Sequence, residues 1–218
     1  MIEYIVFDLW ETLLHMPTRW LGLTLLKHEF FIPPEIWKEK VKPLYLCRKY
    51  KDEEAFLKTF SEELGVRFDI REYATKIRRQ LDIDRRAVSP FLDAIQVLDT
   101  IKRLGMLKTG IISNHTQFYN LPYTQSVFPS LIDTAIFSYE VGYRKPEYEI
   151  YYHFLDIVNV TPSKVIMVGD NRLHDCETPR RLGMHGYHIN RGGTSPISLS
   201  TLTDLLGFVN KLNMEDIL

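Results

Sequence analysis

Polar groups capable of joint chemistry stand where apolar runs stop. Asp8 follows "YIVF", Ser113 and Asn114 follow "TGII", Lys145 lies in "GYRKPE", and Asp170 and Asp175 close "VIMVGDNRLHD". A carboxylate at the end of a buried strand is costly unless it is paired or bound to metal, so three acids drawn together argue for a divalent cation. Oxygen-only ligands select Mg²⁺, whose octahedron is completed by water and a substrate oxygen. One lysine and one hydroxyl beside them can hold an anion's remaining oxygens. Asp8 then has the chemistry of a covalent nucleophile, because a carboxylate can attack phosphorus once a metal screens the repulsion between two anions. Taken singly, each residue has an ordinary alternative: a turn or helix cap for the strand-end Asp, a turn for Ser-Asn, an exposed side chain for the Lys before Pro. Their ordered conjunction is what points to a site.

Such groups meet only if several strands end on one edge of a sheet. "YIVFD", "TGIISN", "TAIFS", "KVIMVGD" and "HGYHIN" read as short apolar strands. Helical stretches separate them, beginning near Leu92, Pro146, Asp175 and Ser198. In the first of these, Leu92, Ile95, Leu98, Ile101 and Leu104 fall at helical spacing, with Lys102 and Arg103 in the last turn and Gly105 as a stop. Alternation of this kind predicts an α/β fold, a doubly wound parallel sheet of Rossmann-like type, with ligands at the carboxyl ends of the strands.

Residues 16–88 differ. They contain amphipathic runs such as "DEEAFLKTFSEELG" and no convincing strand, so they read as an all-helical insertion, with residues 1–15 and 89–218 forming the core. The insertion carries 16 Lys+Arg against 12 Asp+Glu, about +4, and the remainder 11 against 16, about −5. Either a cationic lid over an anionic substrate or an ordinary solvated helical surface fits that imbalance.

The whole chain, 218 residues with 27 Lys+Arg and 28 Asp+Glu, has no global signature of nucleic-acid binding. Cys47 and Cys176 match no zinc or redox spacing and read as reduced thiols. The start "MIEYIVFD" lacks the parts of a signal peptide, and no apolar run approaches the roughly 18 residues of a membrane span. The expectation is a soluble, cytoplasmic protein with a small-molecule substrate.

In their order, these stretches resemble the haloacid dehalogenase-like hydrolase superfamily: "FDLWETLL" is similar to its first motif, "GIISN" to the second, "GYRKPE" to the third and "VGDNRLHDCETPRRLGM" to the fourth. The insertion resembles the family's helical cap. The resemblance implies that Asp8 forms the covalent intermediate and binds Mg²⁺, that Ser113 and Asn114 hold the transferred group, and that Lys145 neutralises the intermediate. It further implies that Asp170 is a metal ligand, with Asp175 supporting directly or through water, and that the backbone carbonyl of Trp10 is another ligand.

Trp10 also stands where phosphatases of this family carry a second Asp that protonates the leaving group. An indole N–H is a donor only and does not titrate usefully. The aromatic residue is similar to that of the dehalogenases, whose leaving halide needs no proton, but Asp170 and "GDN" replace the neutral residues of their fourth motif. Three acids clustered without a cation would raise one another's pKa values and disable the nucleophile. The expected function is therefore a Mg²⁺-dependent phosphohydrolase acting on a small phosphorylated metabolite. The alternatives are a metal-free 2-haloacid dehalogenase and a binding or regulatory protein that has lost turnover. Glu11 replaces a usual Gly; Glu11, His115 and His174 are candidate substitutes for the missing acid. Thr178 and Pro179 replace a usual Gly-Ala pair.

Overall fold

The computed structural model describes residues 1–18, 20–105, 107–193 and 198–207. Its sheet has five parallel strands in the order β5-β4-β1-β6-β7. These are β1 (Tyr4–Phe7), β4 (Lys108–Ser113), β5 (Thr134–Phe137), β6 (Val165–Gly169) and β7 (His185–His188). Phe7 is level with Ile111 of β4 on one side and with Val168 of β6 on the other, so the carboxyl ends of the three central strands are flush. From β1 the chain builds β4 and β5 to one side, then crosses to build β6 and β7 on the other. That reversal at β1 opens a crevice at its carboxyl end.

Each strand splits its apolar residues between two faces, as the two-residue period requires. Ile5, Phe7, Ile111, Phe137, Ile166 and Val168 belong to one core cluster, together with Ala94, Val97, Leu98 and Ile101 of the helix Leu92–Leu104. Val6, Ile112, Ile136, Val165 and Met167 belong to the other, against Ile150, Tyr151, Phe154 and Leu155 of the helix Tyr148–Val158. Both faces are thus covered by helices. In the helix Leu92–Leu104 the expected Leu98 and Ile101 are buried and Ile95 packs on the core, and the departures are at the ends. Leu92 and Leu104 are 76% and 64% exposed, and the smaller Ala94 and Val97 turn inward instead.

The chain leaves this core through β2 (Leu14–His15) and returns through β3 (Ser89–Pro90), which pair antiparallel. Between them lie helices, including Leu21–Glu29, Lys42–Leu46, Glu53–Leu64 and Ile70–Ala87. Helix Glu53–Leu64 starts on Asp52, whose side chain accepts from the Ala55 N–H, and stops at Gly65 with φ of 65°. The inserted helices are tied to the core segment 117–119. Asp84, fully buried, accepts from the Gly22 N–H at 2.8 Å and the Tyr119 hydroxyl at 2.5 Å, and the Arg85 guanidinium donates to the Phe118 carbonyl.

Among the described residues two turns are π-helical, Trp37–Val41 and Arg172–Glu177. Each is followed after one intervening residue by a proline, Pro43 or Pro179, whose missing N–H leaves the carbonyl four residues earlier without its α-helical donor. This gives Pro179 a physical role in shaping the Asp175 turn. Of the helix expected from Ser198, residues 203–207 are helical, and the residues past 207 lie outside the described residues.

Candidate active site

Asp8 is the first residue after β1, and its N–H donates to the Val168 carbonyl at 2.8 Å, which extends the ladder by one rung and fixes the side chain at the mouth of the crevice. Lys145 reaches the same point from the loop beyond β5. Its ammonium donates to Asp8 Oδ1 at 2.8 Å and to Asp175 Oδ1 at 2.5 Å, and all three side chains are buried. Burial by itself would lower the Lys145 pKa; the Asp175 and Asp8 charges outweigh it and raise the pKa.

Asp175 is anchored from its own turn, where Oδ2 accepts from the Asn171 N–H at 3.0 Å. Its carboxyl lies against Gly169. A Cβ on Gly169 would come within 2.3 Å of it, so only glycine lets β6 end there. Burial, partly offset by Lys145 and augmented by Asp8, pushes Asp175 up to about 6. Asp170 is exposed at the rim, yet protein crowds its carboxyl and Asp8 and Asp175 lie close, which together push it up to about 7. Its carboxylate has no hydrogen-bonding partner among the described residues. One oxygen each from Asp8, Asp170 and Asp175 lies within 4.8 Å of the others. Fully ionised, these acids and Lys145 sum to −2, a charge and donor set that a hard divalent cation fits.

Ser113 ends β4 fully buried, with its hydroxyl unpartnered. Asn114 is otherwise engaged: its side-chain amide donates to the Lys145 carbonyl at 2.8 Å and accepts from the Lys145 N–H at 2.7 Å. The structure thus brings Asp8, Asn114, Lys145, Asp170 and Asp175 to one cavity of about 240 Å³, also lined by Trp10, Glu11, Trp20, Asn171 and His174. Ser113 abuts it without lining it.

Of the three candidate substitutes for the missing acid, Glu11 and His115 are held by side-chain hydrogen bonds, and His174 is kept neutral. Glu11 sits at φ of 56°, a left-handed conformation in which glycine costs nothing, and its carboxylate accepts from the Met16 N–H and contacts His15 Nδ1, both at 2.9 Å. His115 is fully buried, accepts the Trp10 indole N–H on Nδ1 at 3.1 Å and meets the Asn120 side-chain oxygen through Nε2 at 3.1 Å. Burial lowers its pKa to about 3, so it is a neutral acceptor. His174 is lowered to about 4, first by burial and then by Lys145. Trp10 itself packs edge-on against Trp20 and Tyr119, at 5.3 and 6.4 Å between centroids. No sequence signal announced this aromatic wall, because Trp10 and the His115 that fixes it lie 105 residues apart.

The family model for haloacid dehalogenase-like hydrolases matches residues 5–188, most of the chain and every residue named above except the flanking termini. The chain belongs to the haloacid dehalogenase-like hydrolases. A relative from Xenopus laevis, haloacid dehalogenase-like hydrolase domain-containing protein 3, is 29% identical over 97 residues, or 44% of this chain and 39% of that protein, so the match spans well under half of the relative's length. Solved hydrolases of this superfamily share its fold. A HAD phosphatase from Thermococcus onnurineus superposes with a TM-score of 0.62 at 19% identity, covering 95% of this chain and 98% of that one. A 2-haloacid dehalogenase from Pseudomonas syringae pv. Tomato superposes at 0.67 and 16% identity, covering 97% and 100%. A Bacteroides thetaiotaomicron HAD family enzyme, solved with magnesium and inorganic phosphate, superposes at 0.61 and 16% identity, covering 90% and 98%. At these identities the hydrolase neighbours establish the fold and leave the choice between phosphate and halide chemistry to the residues. No helix among the described residues is long and apolar enough to cross a membrane.

Proposed function

We propose that the chain is a Mg²⁺-dependent phosphohydrolase acting on a small phosphorylated metabolite. The observation that carries this reading is the meeting of Asp8, Asp170 and Asp175 around a single lysine. Asp170, whose carboxylate has no partner among the described residues, and one oxygen of Asp8 would hold the ion, with the Trp10 carbonyl; Asp175, spent on Lys145 and Asn171, orients the lysine or ligates through water. When bound, Mg²⁺ supplies the positive charge that lets one anion approach another.

Asp8 attacks phosphorus, forming a carboxylate O–P bond as the ester P–O bond breaks and its electron pair leaves with the alkoxide or aryloxide, which takes its proton from solvent. Water then attacks the phosphorus of that acyl phosphate, releasing phosphate and regenerating the Asp8 carboxylate. Lys145 neutralises the added charge on Asp8, Ser113 offers its free hydroxyl to a phosphoryl oxygen, and Asn114 holds the Lys145 backbone in register. No protonated acid is aimed at the leaving group: Trp10 is bonded to His115, Glu11 to its own loop, and burial holds the His174 imidazole neutral. In this reading residues 1–15 and 89–218 form the catalytic core and 16–88 the cap. The two free cysteines suit the reducing cytoplasm.

The aromatic Trp10 favours one rival, a metal-free 2-haloacid dehalogenase. A panel of phosphate esters and 2-chloro acids, each with Mg²⁺ and with chelator, separates the two. Phosphate release that chelator abolishes supports the phosphohydrolase; chloride release in chelator supports the rival, and neither product supports a binding protein.

A further inference from the structure

A second chamber, about 450 Å³, opens beside the first and shares Trp20 and Asn114 with it. Its walls are aromatic on one side, with Trp37 and Tyr45 both buried and 6.0 Å apart between ring centroids. On the other side are Lys27 and His28 from the helix Leu21–Glu29 and Lys42 from the helix Lys42–Leu46, the two lysines being its cations. Among the described residues no carboxylate lines it, and neither Lys27 nor Lys42 has a side-chain hydrogen bond or ion pair. Lys42 is half-buried, and its pKa is lowered by that burial and then by Arg144, Lys27 and Lys38, with no acid acting in the opposite direction. Trp20, at the junction of the two chambers, is held at φ of 67°. Unpaired, partly desolvated cations gathered in a concave aromatic site are what an anionic ligand group offsets.

We propose that this chamber binds a second anionic group of the substrate, so that the substrate is a phosphate monoester whose body spans the Trp20 junction and carries a distal carboxylate or second phosphate against Lys42 and Lys27. The inference rests on the phosphohydrolase reading for its first phosphate, but the distal group is recognised without chemistry at Asp8.

Three aryl phosphates with leaving phenols of similar acidity test it: 4-methylphenyl, 4-(carboxymethyl)phenyl and 4-(phosphonomethyl)phenyl phosphate. One or both anionic esters should exceed the methyl ester in kcat/KM by about tenfold or more, and which one does identifies the distal group. Lys42→Met should bring that ratio close to one, as should Lys27→Met if the first variant fails to fold. Independently of turnover, 4-hydroxyphenylacetate or its phosphonate analogue should quench tryptophan fluorescence saturably, 4-cresol should not, and the quench should vanish in the lysine variants. Equal kcat/KM for the three esters overturns the proposal while leaving the phosphohydrolase standing. If no ester is hydrolysed, the catalytic reading fails, and absence of quenching by both anions then overturns this one as well.

Discussion

The indole N–H of Trp10 donates to Nδ1 of His115 at 3.1 Å, across 105 residues of chain and with both side chains buried. The bond explains what the tryptophan does at a position where an acid would be chemically useful: it is a wall of the site, fixed by an acceptor that burial keeps neutral. Trp10→Phe leaves a buried acceptor unpaired and should cost about 1–3 kcal/mol in urea denaturation. An unchanged unfolding midpoint would show that the bond contributes nothing.

A site without an acid should discriminate by leaving group. General acid assistance is worth about 10²–10⁴ in rate, so aryl and acyl phosphates, which leave as anions, should be hydrolysed well and alkyl phosphates poorly. No base activates the water for the second step, so stopped-flow traces should show a burst of phenol before steady state. Trp10→Asp should raise turnover of alkyl esters more than aryl ones. Equal rates for both classes without a burst would mean that some group supplies the proton after all.

Lys145 is the only cation bonded to Asp8 and Asp175 among the described residues, and all three are buried. Lys145→Met should therefore destabilise the metal-free protein by about 3–5 kcal/mol at pH 8. Asp175 is raised above its unfolded value, to about 6 with the lysine present, and higher once that stabilising charge is gone. The folded variant then takes up a proton more readily than the unfolded chain, so its deficit should shrink as pH falls from 8 to 5. A deficit that is constant over this range would place the cost elsewhere.

Mg²⁺ should raise the melting temperature, and more at pH 7.5 than at pH 5.5. Asp170, pushed up to about 7, is largely protonated at the lower pH and must release that proton to ligate. Asp170→Asn should remove most of the shift at both values, as differential scanning fluorimetry would show. A shift independent of pH and of Asp170 would argue for an ion bound at some other place.

The sheet was legible because each strand is a short apolar run stopped by a polar residue, and those stops are the site. Asp8, Ser113 and Asp170 stand at such stops; Lys145 and Asp175 lie several residues beyond their strands and were placed by the resemblance. In the helix Leu92–Leu104 the inner positions Leu98 and Ile101 face the core as expected, whereas Leu92 and Leu104 are exposed, because a strict three-residue spacing drifts round the helix and an exposed leucine at a helix end is tolerated. The π turns before Pro43 and Pro179, the left-handed backbone at Glu11 and the Trp10–His115 bond were not legible. Each depends on a geometry or on a partner distant in sequence, and no local period reports it. Asn114 could be placed at the site from sequence, but only the structure shows its amide closed on the Lys145 backbone.

The central claim is that Asp8 is a nucleophile toward phosphorus. Its most direct test is phosphate release from an aryl phosphate in Mg²⁺, measured for wild type and for Asp8→Asn, which alters volume little but removes the attacking oxygen. The account predicts steady release by wild type and less than about a tenth of that rate, with no burst, for a variant whose circular dichroism matches wild type. Release by Asp8→Asn at a rate comparable to wild type would contradict it.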